Sequence, residues 1–294
     1  MRLNSLRIFA VAALVSGAVM TGIGTPSASA DTIGDTARTL LAKNKGVVVQ
    51  FNVVVKIGGG AVGEEQNAEQ EAKGVVIDPS GLIVTTNFAI DPTSVFASMG
   101  GGDAMSKITS KVVSIRILTP EGEEIPARVV LRDTDRNLAF LRPITPPTTP
   151  LPYVDLKSGG KAQVGDVIFV YGRMGKSGNR GAEVNYSRVT GMVERPRLQY
   201  VIQPLPGSSD FGAMAFNEQG LPLGLLSFRV APGKRGGFGG SGSDTLMVVV
   251  PTEDIAEIGA QAPQVKDVKE EVVTPAKPAA APKAPGKAAA PSKK

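Results

Sequence analysis

Between about Gly46 and Ile258 the chain is a series of short β-rich runs separated by glycine, proline, asparagine and aspartate. The candidate strands are Val47–Val55, Gly74–Asp78, Leu82–Thr86, Val112–Leu118, Ile125–Leu131, Leu138–Arg142, Val167–Tyr171, Glu183–Val193, Tyr200–Gln203, Leu221–Phe228 and Thr245–Val250. Many short strands with frequent turn signals are typical of all-β barrels and sandwiches. So many strands in one region predict two small barrels and not a single one.

Helical patterns are confined to the two ends of this region. We expect a lead-in helix at Thr32–Ala42, within residues 31–45, and a closing helix at Thr252–Ile258. Three glycine-rich or polar stretches are expected to be long loops, because they lack apolar periodicity. They are Gly58–Ala72, Asp91–Lys111 and Pro232–Asp244.

The first thirty residues have the composition of an export signal. Arg2 and Arg7 precede an apolar run over 8–23, and Ala28-Ser29-Ala30 supplies small residues at a cleavage site. An uncleaved membrane anchor is the alternative, but the run is short for a bilayer span and interrupted by polar residues. We therefore expect a signal peptide over residues 1–30 and a periplasmic or secreted mature protein.

From residue 259 to residue 294 the composition shifts toward alanine, proline and lysine. Such a segment buries too little apolar surface to offset its ordering entropy, so we expect a disordered tail. It is either simply solvated or a weak tether to anionic envelope polymer. The basic ends also explain the net charge of +5, since residues 31–276 carry 25 basic and 27 acidic side chains. A near-neutral domain does not predict nucleic-acid binding.

Cysteine and histidine are both absent from the 294 residues. Without disulfides, stability must come from a conventional core. Without histidine, the usual general base and the commonest metal ligand are missing. The acidic residues Glu64, Glu65, Glu69 and Glu71 lack the alternating oxygen ligands and tight turn of a calcium loop. We expect no cofactor and no metal site.

The segment Gly74–Ile90 reads GVVIDPSGLIVTTNFAI. It resembles the G-V-I-I-x-x-D-G-x-I-L-T-N-x-H-V stretch of HtrA/Deg-type trypsin-like serine proteases. In that family the histidine of this stretch is the general base. The matching position here is Phe88.

The segment Ala127–Arg142 reads ARVVLRDTDRNLAFLR. It is similar to the family's A-x-V-V-x-x-D-x-x-x-D-L-A-V-L-K segment, whose second aspartate orients the histidine. The matching position here is Asn137.

The segment Pro206–Leu225 is similar to the family's G-[ND]-S-G-G-P-V-F-[ND]-x-x-G-x-x-[IV]-G nucleophile loop. Alignment on Ala215-Phe216-Asn217 and Gly224 places the nucleophile position at Phe211. A shift by one residue would place it at Asp210. The glycine that precedes the Asn/Asp-Ser pair in the family matches Ser208 or Ser209, which puts the oxyanion hole in doubt.

Two further segments match in the same order. Gln163–Gly172 resembles the family's V-G-[ED]-x-V-x-A-x-G strand, and Leu246–Pro251 resembles its closing G-F-A-I-P strand. The resemblance implies a trypsin/chymotrypsin-like all-β fold over residues 46–258, with two six-stranded antiparallel β-barrels and short terminal helices. The family often adds a PDZ domain, and here the Lys/Pro/Ala tail follows instead.

Triad chemistry needs a hydroxyl nucleophile, a base within hydrogen-bond reach and a carboxylate that orients the base. Phe88, Asn137 and Phe211 supply none of these groups, so we expect an inactive homologue. The resemblance implies binding of a peptide or unfolded protein segment in the former substrate cleft, by strand addition. We expect Phe88 and Phe211 to pack together. The candidate binding residues of the former nucleophile loop are Ser208, Ser209, Asp210 and Gly212.

Two other functions are open. Ser208 or Ser209 could work with a lysine in an active endopeptidase, because a Ser–Lys pair needs no histidine. Alternatively, the domain could be a structural envelope protein that its basic tail tethers. The oligomeric state is open.

Overall fold

A computed structural model of the chain describes residues 31–59, 63–93, 108–119, 123–203, 210–230 and 245–268. The expected signal peptide, Ser208 and Ser209, the Pro232–Asp244 loop and the tail beyond residue 268 lie outside these ranges.

The first barrel contains strands β1 to β6. They are β1 (Val48–Gly58), β2 (Gln66–Val76), β3 (Ile83–Thr86), β4 (Thr109–Leu118), β5 (Glu124–Asp133) and β6 (Leu138–Pro143). They close antiparallel in the order β1-β2-β3-β6-β5-β4. Side chains alternate between the two faces of a strand, so Phe51, Val53 and Val55 of β1 all point into the barrel core.

The second barrel contains strands β7 to β12. They are β7 (Val167–Arg173), β8 (Ala182–Val193), β9 (Gln199–Gln203), β10 (Met214–Asn217), β11 (Pro222–Val230) and β12 (Thr245–Pro251). They close antiparallel in the order β10-β11-β12-β9-β8-β7. Val170, Ile202 and Leu223 belong to its core. The expected pair of six-stranded antiparallel barrels is confirmed.

A third apolar layer joins the barrels. It combines Val75 and Phe140 of the first barrel with Phe169 and Tyr171 of the second. Each of these side chains is at most 1% exposed. The barrels are therefore packed on each other through a shared core, as the layers of one domain are.

Helices lie at both ends of the double barrel, as expected. Helix α1 (Thr32–Lys43) begins at Asp31, whose carboxylate accepts a hydrogen bond from the Gly34 amide at 3.0 Å. A single turn, α2 (Asn87–Ile90), follows β3, and α3 (Thr252–Gly259) follows β12. Three-residue 3-10 turns lie at Leu156–Ser158, Lys176–Gly178 and Val265–Asp267. Within the described ranges, no helix has the length and apolar character needed to cross a membrane.

The expected loop Gly58–Ala72 is wrong over Gln66–Ala72, which forms the first half of β2. These residues are polar and have low strand propensity. They are in a strand because they pair with β1 in a long hairpin, where Glu69 lies opposite Val54. The sequence pattern also missed β10 and α2, which are too short to show a periodicity.

The expected start of the disordered tail at residue 259 is also wrong, because the folded chain continues to at least Val268. Ala262, Val265 and Val268 pack against the shared core. The backbone carbonyl of Pro263 accepts a hydrogen bond from Arg142 Nε at 3.1 Å. Three apolar side chains in a Lys/Pro/Ala-rich segment are enough to hold these residues on the domain.

Candidate functional site

Phe88, Asn137 and Phe211, which the sequence resemblance aligns with the family's catalytic residues, come together where the barrels join. Phe88 lies in α2 of the first barrel, and Asn137 lies in the turn before β6. Phe211 lies in the turn before β10 of the second barrel. The Phe88 amide donates to Asn137 Oδ1 at 3.0 Å, and the Asn87 amide donates to the Asn137 carbonyl at 2.9 Å. Asn137 therefore fixes the helical turn that carries Phe88.

Asn137 also connects the two barrels. Its Nδ2 donates to Ser227 Oγ at 3.1 Å, and Ser227 is a fully buried residue of β11. The backbone of Asn137 has φ +54°, a left-handed conformation that asparagine tolerates better than most residues. Its side chain is thus engaged on one side with α2 and on the other with the second barrel.

The two phenylalanines share a third ring. The centroids of Phe88 and Phe228 are 5.3 Å apart with an interplanar angle of 82°, and those of Phe211 and Phe228 are 5.1 Å apart at 61°. These are the edge-to-face arrangements that aromatic pairs prefer. We call Phe88, Phe211 and Phe228 the aromatic cluster. Its centre, Phe228 of β11, is 5% exposed.

Sequence reasoning missed Phe228. The residue belongs to an expected strand, Leu221–Phe228, but an almost continuously apolar run does not show which side chain faces the barrel junction. We expected Phe88 and Phe211 to pack on each other, and the structure shows that each of them packs on Phe228.

A buried charged group lies beside the aromatic cluster. Lys73 Nζ is 2.8 Å from Asp210 Oδ1 and 3.3 Å from Glu183 Oε1. Asn185 Nδ2 donates to Asp210 Oδ2 at 3.3 Å. The side chains of Lys73 and Asp210 are 5% and 4% exposed. We call Lys73, Glu183, Asn185 and Asp210 the ionic cluster.

Gly212 lies directly against the backbone of Lys73. It has φ +85°, and a Cβ built on it would be 2.2 Å from the Lys73 carbonyl oxygen. That oxygen also accepts a hydrogen bond from Thr85 Oγ1 at 2.6 Å. The Gly212 amide donates to the Leu226 carbonyl at 2.9 Å. Only glycine fits both the conformation and the space at this position.

The candidate binding residues have different surroundings. The Asp210 carboxylate faces Lys73 in the interior, whereas Phe211 is half-buried and reaches the aromatic cluster with Phe88. Of the two residues that the resemblance offers for the nucleophile position, Phe211 is thus the one that faces the aromatic cluster. Gly212 is buried, and Ser208 and Ser209 lie outside the described residues.

A second ionic contact crosses the barrel junction next to the ionic cluster. Glu71 of β2 is 2.7 Å from Arg180 Nη2 and 3.5 Å from Lys176 Nζ, in the β7–β8 connection. Partial burial acts to raise the pKa of Glu71. The hydrogen bond and charge of Arg180, with the charge of Lys176, outweigh it and hold that pKa below its ordinary value. The described part of the chain contains no group of three or more His, Cys, Asp or Glu placed to hold a metal.

No curated protein matches the chain. A solved structure of the MamO protease domain from Magnetospirillum magneticum, in its apo form, is similar at 16% identity with a TM-score of 0.45. The alignment covers 74% of this chain and 97% of that one.

A model of the trypsin-like peptidase domain family matches residues 72–225. The match spans more than half of the chain and includes Phe88, Asn137 and Phe211. The chain therefore belongs to the trypsin-like peptidase domain family.

Proposed function

We propose that this chain is a non-catalytic, HtrA-like member of its family that binds an extended segment of another protein at the junction of the barrels. The observation that carries the proposal is the aromatic cluster. Two of its three rings stand at the positions where the sequence resemblance places the general base and the nucleophile. Their packing on Phe228 fills that space with apolar side chains.

The chemistry of these positions supports the absence of hydrolysis. A phenyl ring can neither attack a carbonyl carbon nor accept a proton, and no histidine exists elsewhere in the chain to act as a base. Loss of one member of a catalytic triad already costs several orders of magnitude in rate. At Asn137 an amide bonded to Ser227 stands in place of a carboxylate.

The strand geometry supports binding. β10 pairs with β11, with Met214 opposite Leu225 at one end and Phe216 opposite Pro222 at the other. The turn before β10 forms further backbone hydrogen bonds with Leu226 of β11. β11 itself runs on to Val230, so it extends past its neighbour on that side. An extended segment that adds beside this end of β11 would lie against the aromatic cluster. We place this activity outside the cytoplasm, on the basis of the signal-like residues 1–30.

The test uses residues 31–294 and fluorescein-labelled β-casein, an unfolded protein probe. We expect saturable binding by fluorescence anisotropy and no casein fragments by mass spectrometry. Phe228→Ala should weaken binding, because it removes the centre of the aromatic cluster. Tyr186→Ala is the matched control, since Tyr186 is an aromatic residue of the second barrel whose side chain is 62% exposed. Cleavage that Ser208→Ala or Ser209→Ala abolishes would establish an active peptidase instead.

A truncation separates the cleft from the tail. It should remove residues 269–294 only, because Ala262 to Val268 pack on the domain. Casein binding that persists assigns the activity to the double barrel. Binding that disappears assigns it to the basic tail and contradicts the proposal.

A further inference from the structure

The ionic cluster joins the two barrels at the loop that carries Phe211. Lys73 belongs to β2 of the first barrel, whereas Glu183 and Asn185 of β8 and Asp210 before β10 belong to the second. Burial of a charge is costly unless it is paired and hydrogen-bonded. Here the lysine contacts two carboxylates, and both oxygens of Asp210 have a donor. The contacts therefore specify one position for Asp210 relative to the opposite barrel.

Lys73 contacts the loop on both sides of Phe211. Its ammonium holds Asp210, the residue before Phe211, at 2.8 Å. Its backbone carbonyl lies so close to Gly212, the residue after Phe211, that a Cβ there would overlap it. Thr85 donates to the same carbonyl and fixes it in turn. A single residue of the first barrel thus contacts both chain neighbours of Phe211.

We propose that Lys73 is a positioning residue for the binding surface. It holds the Asp210–Gly212 turn so that Phe211 packs on Phe228 beside the end of β11. This inference rests on the proposed function, since the surface in question is the one on which an extended protein segment would bind. Lys73 itself is 5% exposed and acts through Asp210 and Gly212, not by touching the partner.

The test removes both members of the buried Lys73–Asp210 pair together. In the double variant Lys73→Met/Asp210→Leu, apolar side chains of similar size replace the ion pair, which such proteins often tolerate. Glu183 is 26% exposed and can be solvated when its partner is gone. We expect a folded protein with a cooperative thermal transition. The single variant Lys73→Met should be less stable than the double variant, because it leaves the buried Asp210 carboxylate without its cation.

Two amides report the position of the loop directly. The Gly212 amide donates to the Leu226 carbonyl, and the Ala213 amide donates to the Asp210 carbonyl, each at 2.9 Å. In the double variant we expect hydrogen exchange at both amides to be about tenfold faster or more, while the barrel strands keep their protection. We expect the affinity for labelled β-casein to fall about tenfold.

The matched control is Arg116→Met/Glu124→Leu, which removes an exposed ion pair of the first barrel at 51% and 43% exposure. It should change neither measurement. Unchanged exchange at Gly212 and Ala213 in the folded double variant would overturn the proposal, as would faster exchange with unchanged affinity. If the parent chain does not bind casein, the proposed function fails. The exchange measurement still decides whether Lys73 positions the loop.

Discussion

The aromatic cluster and the ionic cluster are neighbours in sequence and in space, and they stabilise the barrel junction in opposite ways. Phe211 belongs to the first and Asp210 to the second, so adjacent residues of one turn face an apolar and a charged environment. Contacts between rings tolerate changes of angle and distance, because dispersion and burial depend weakly on orientation. Buried charges tolerate little change in distance or angle, because each must keep its hydrogen-bonded partner.

This difference assigns separate roles to the two clusters. The aromatic cluster supplies buried apolar area and fills the space between α2 and the turn before β10. The ionic cluster restricts the position of the loop, since Asp210 must stay within reach of both Lys73 and Asn185 to keep its two hydrogen bonds. Loss of a partner should therefore be more harmful in the ionic cluster than loss of a ring in the aromatic one.

The largest effect is expected from Lys73→Met. It leaves the buried Asp210 carboxylate without its cation, and breaking a buried pair in this way costs about 3–5 kcal/mol. Urea unfolding measures the change in the free energy of unfolding. Arg116→Met, in an exposed pair, should cost less than about 1 kcal/mol. Equal losses for the two variants would show that burial of the Lys73 pair has no special role.

A smaller loss is expected from Phe228→Ala. The ring is 5% exposed and contacts Phe88 and Phe211, so its truncation leaves a cavity and costs about 3 kcal/mol. Phe228→Leu should recover most of that loss, because it restores volume without edge-to-face geometry. Thermal unfolding of both variants checks the prediction. A loss larger than that of Lys73→Met would reverse the order of the two clusters.

Asn137→Ala should cost about 1–2 kcal/mol, because it removes the bonds to the Phe88 amide and to Ser227 Oγ at a left-handed position. Asn137→Asp keeps the acceptor for the Phe88 amide, and the Ser227 hydroxyl can rotate to donate to it. We therefore expect the aspartate variant to stay within about 0.5 kcal/mol of the parent at neutral pH. Denaturant midpoints of the two variants measure both changes, and a large loss in the aspartate variant would contradict the prediction.

The smallest effect concerns Glu71 and depends on pH. Its pKa is lowered in the folded state, so its contribution is complete above the ordinary glutamate value, near about pH 4.3. That contribution is lost as the pH falls from there through the lower folded value. Glu71→Gln should therefore lower the free energy of unfolding slightly at neutral pH and converge with the parent in acid, so that the acid limb of its stability–pH profile is flatter. A steeper acid limb in the variant would contradict the assignment.

The sequence predicted the fold to the level of two six-stranded antiparallel barrels because the spacing of strand and turn signals, and of the segments that resemble the family, extends along most of the chain. It also predicted that Phe88 and Phe211 would pack together, and the structure shows each of the two rings packed on Phe228. It did not predict the ionic cluster. Lys73 and Asp210 are separated by 137 positions, and a lysine in a polar-looking strand gives no sign of burial until the barrels are packed.

The wrong prediction of a loop at the start of β2 has the same origin. Gln66–Ala72 looks like a solvated loop because its side chains are polar, and its strand conformation comes from pairing with β1. Local composition describes what a segment prefers when it is alone. Here the partner strand and the opposite barrel decide its structure.

The shared apolar layer between the barrels has a consequence for how the molecule unfolds. Val75, Phe140, Phe169 and Tyr171 are almost fully covered only while the barrels remain together. Either half alone would expose an apolar face to water, at about 25 cal/mol for each Å² uncovered. Neither half should therefore survive on its own as a stable body. We expect a single cooperative transition, and expression of either half by itself should yield insoluble material.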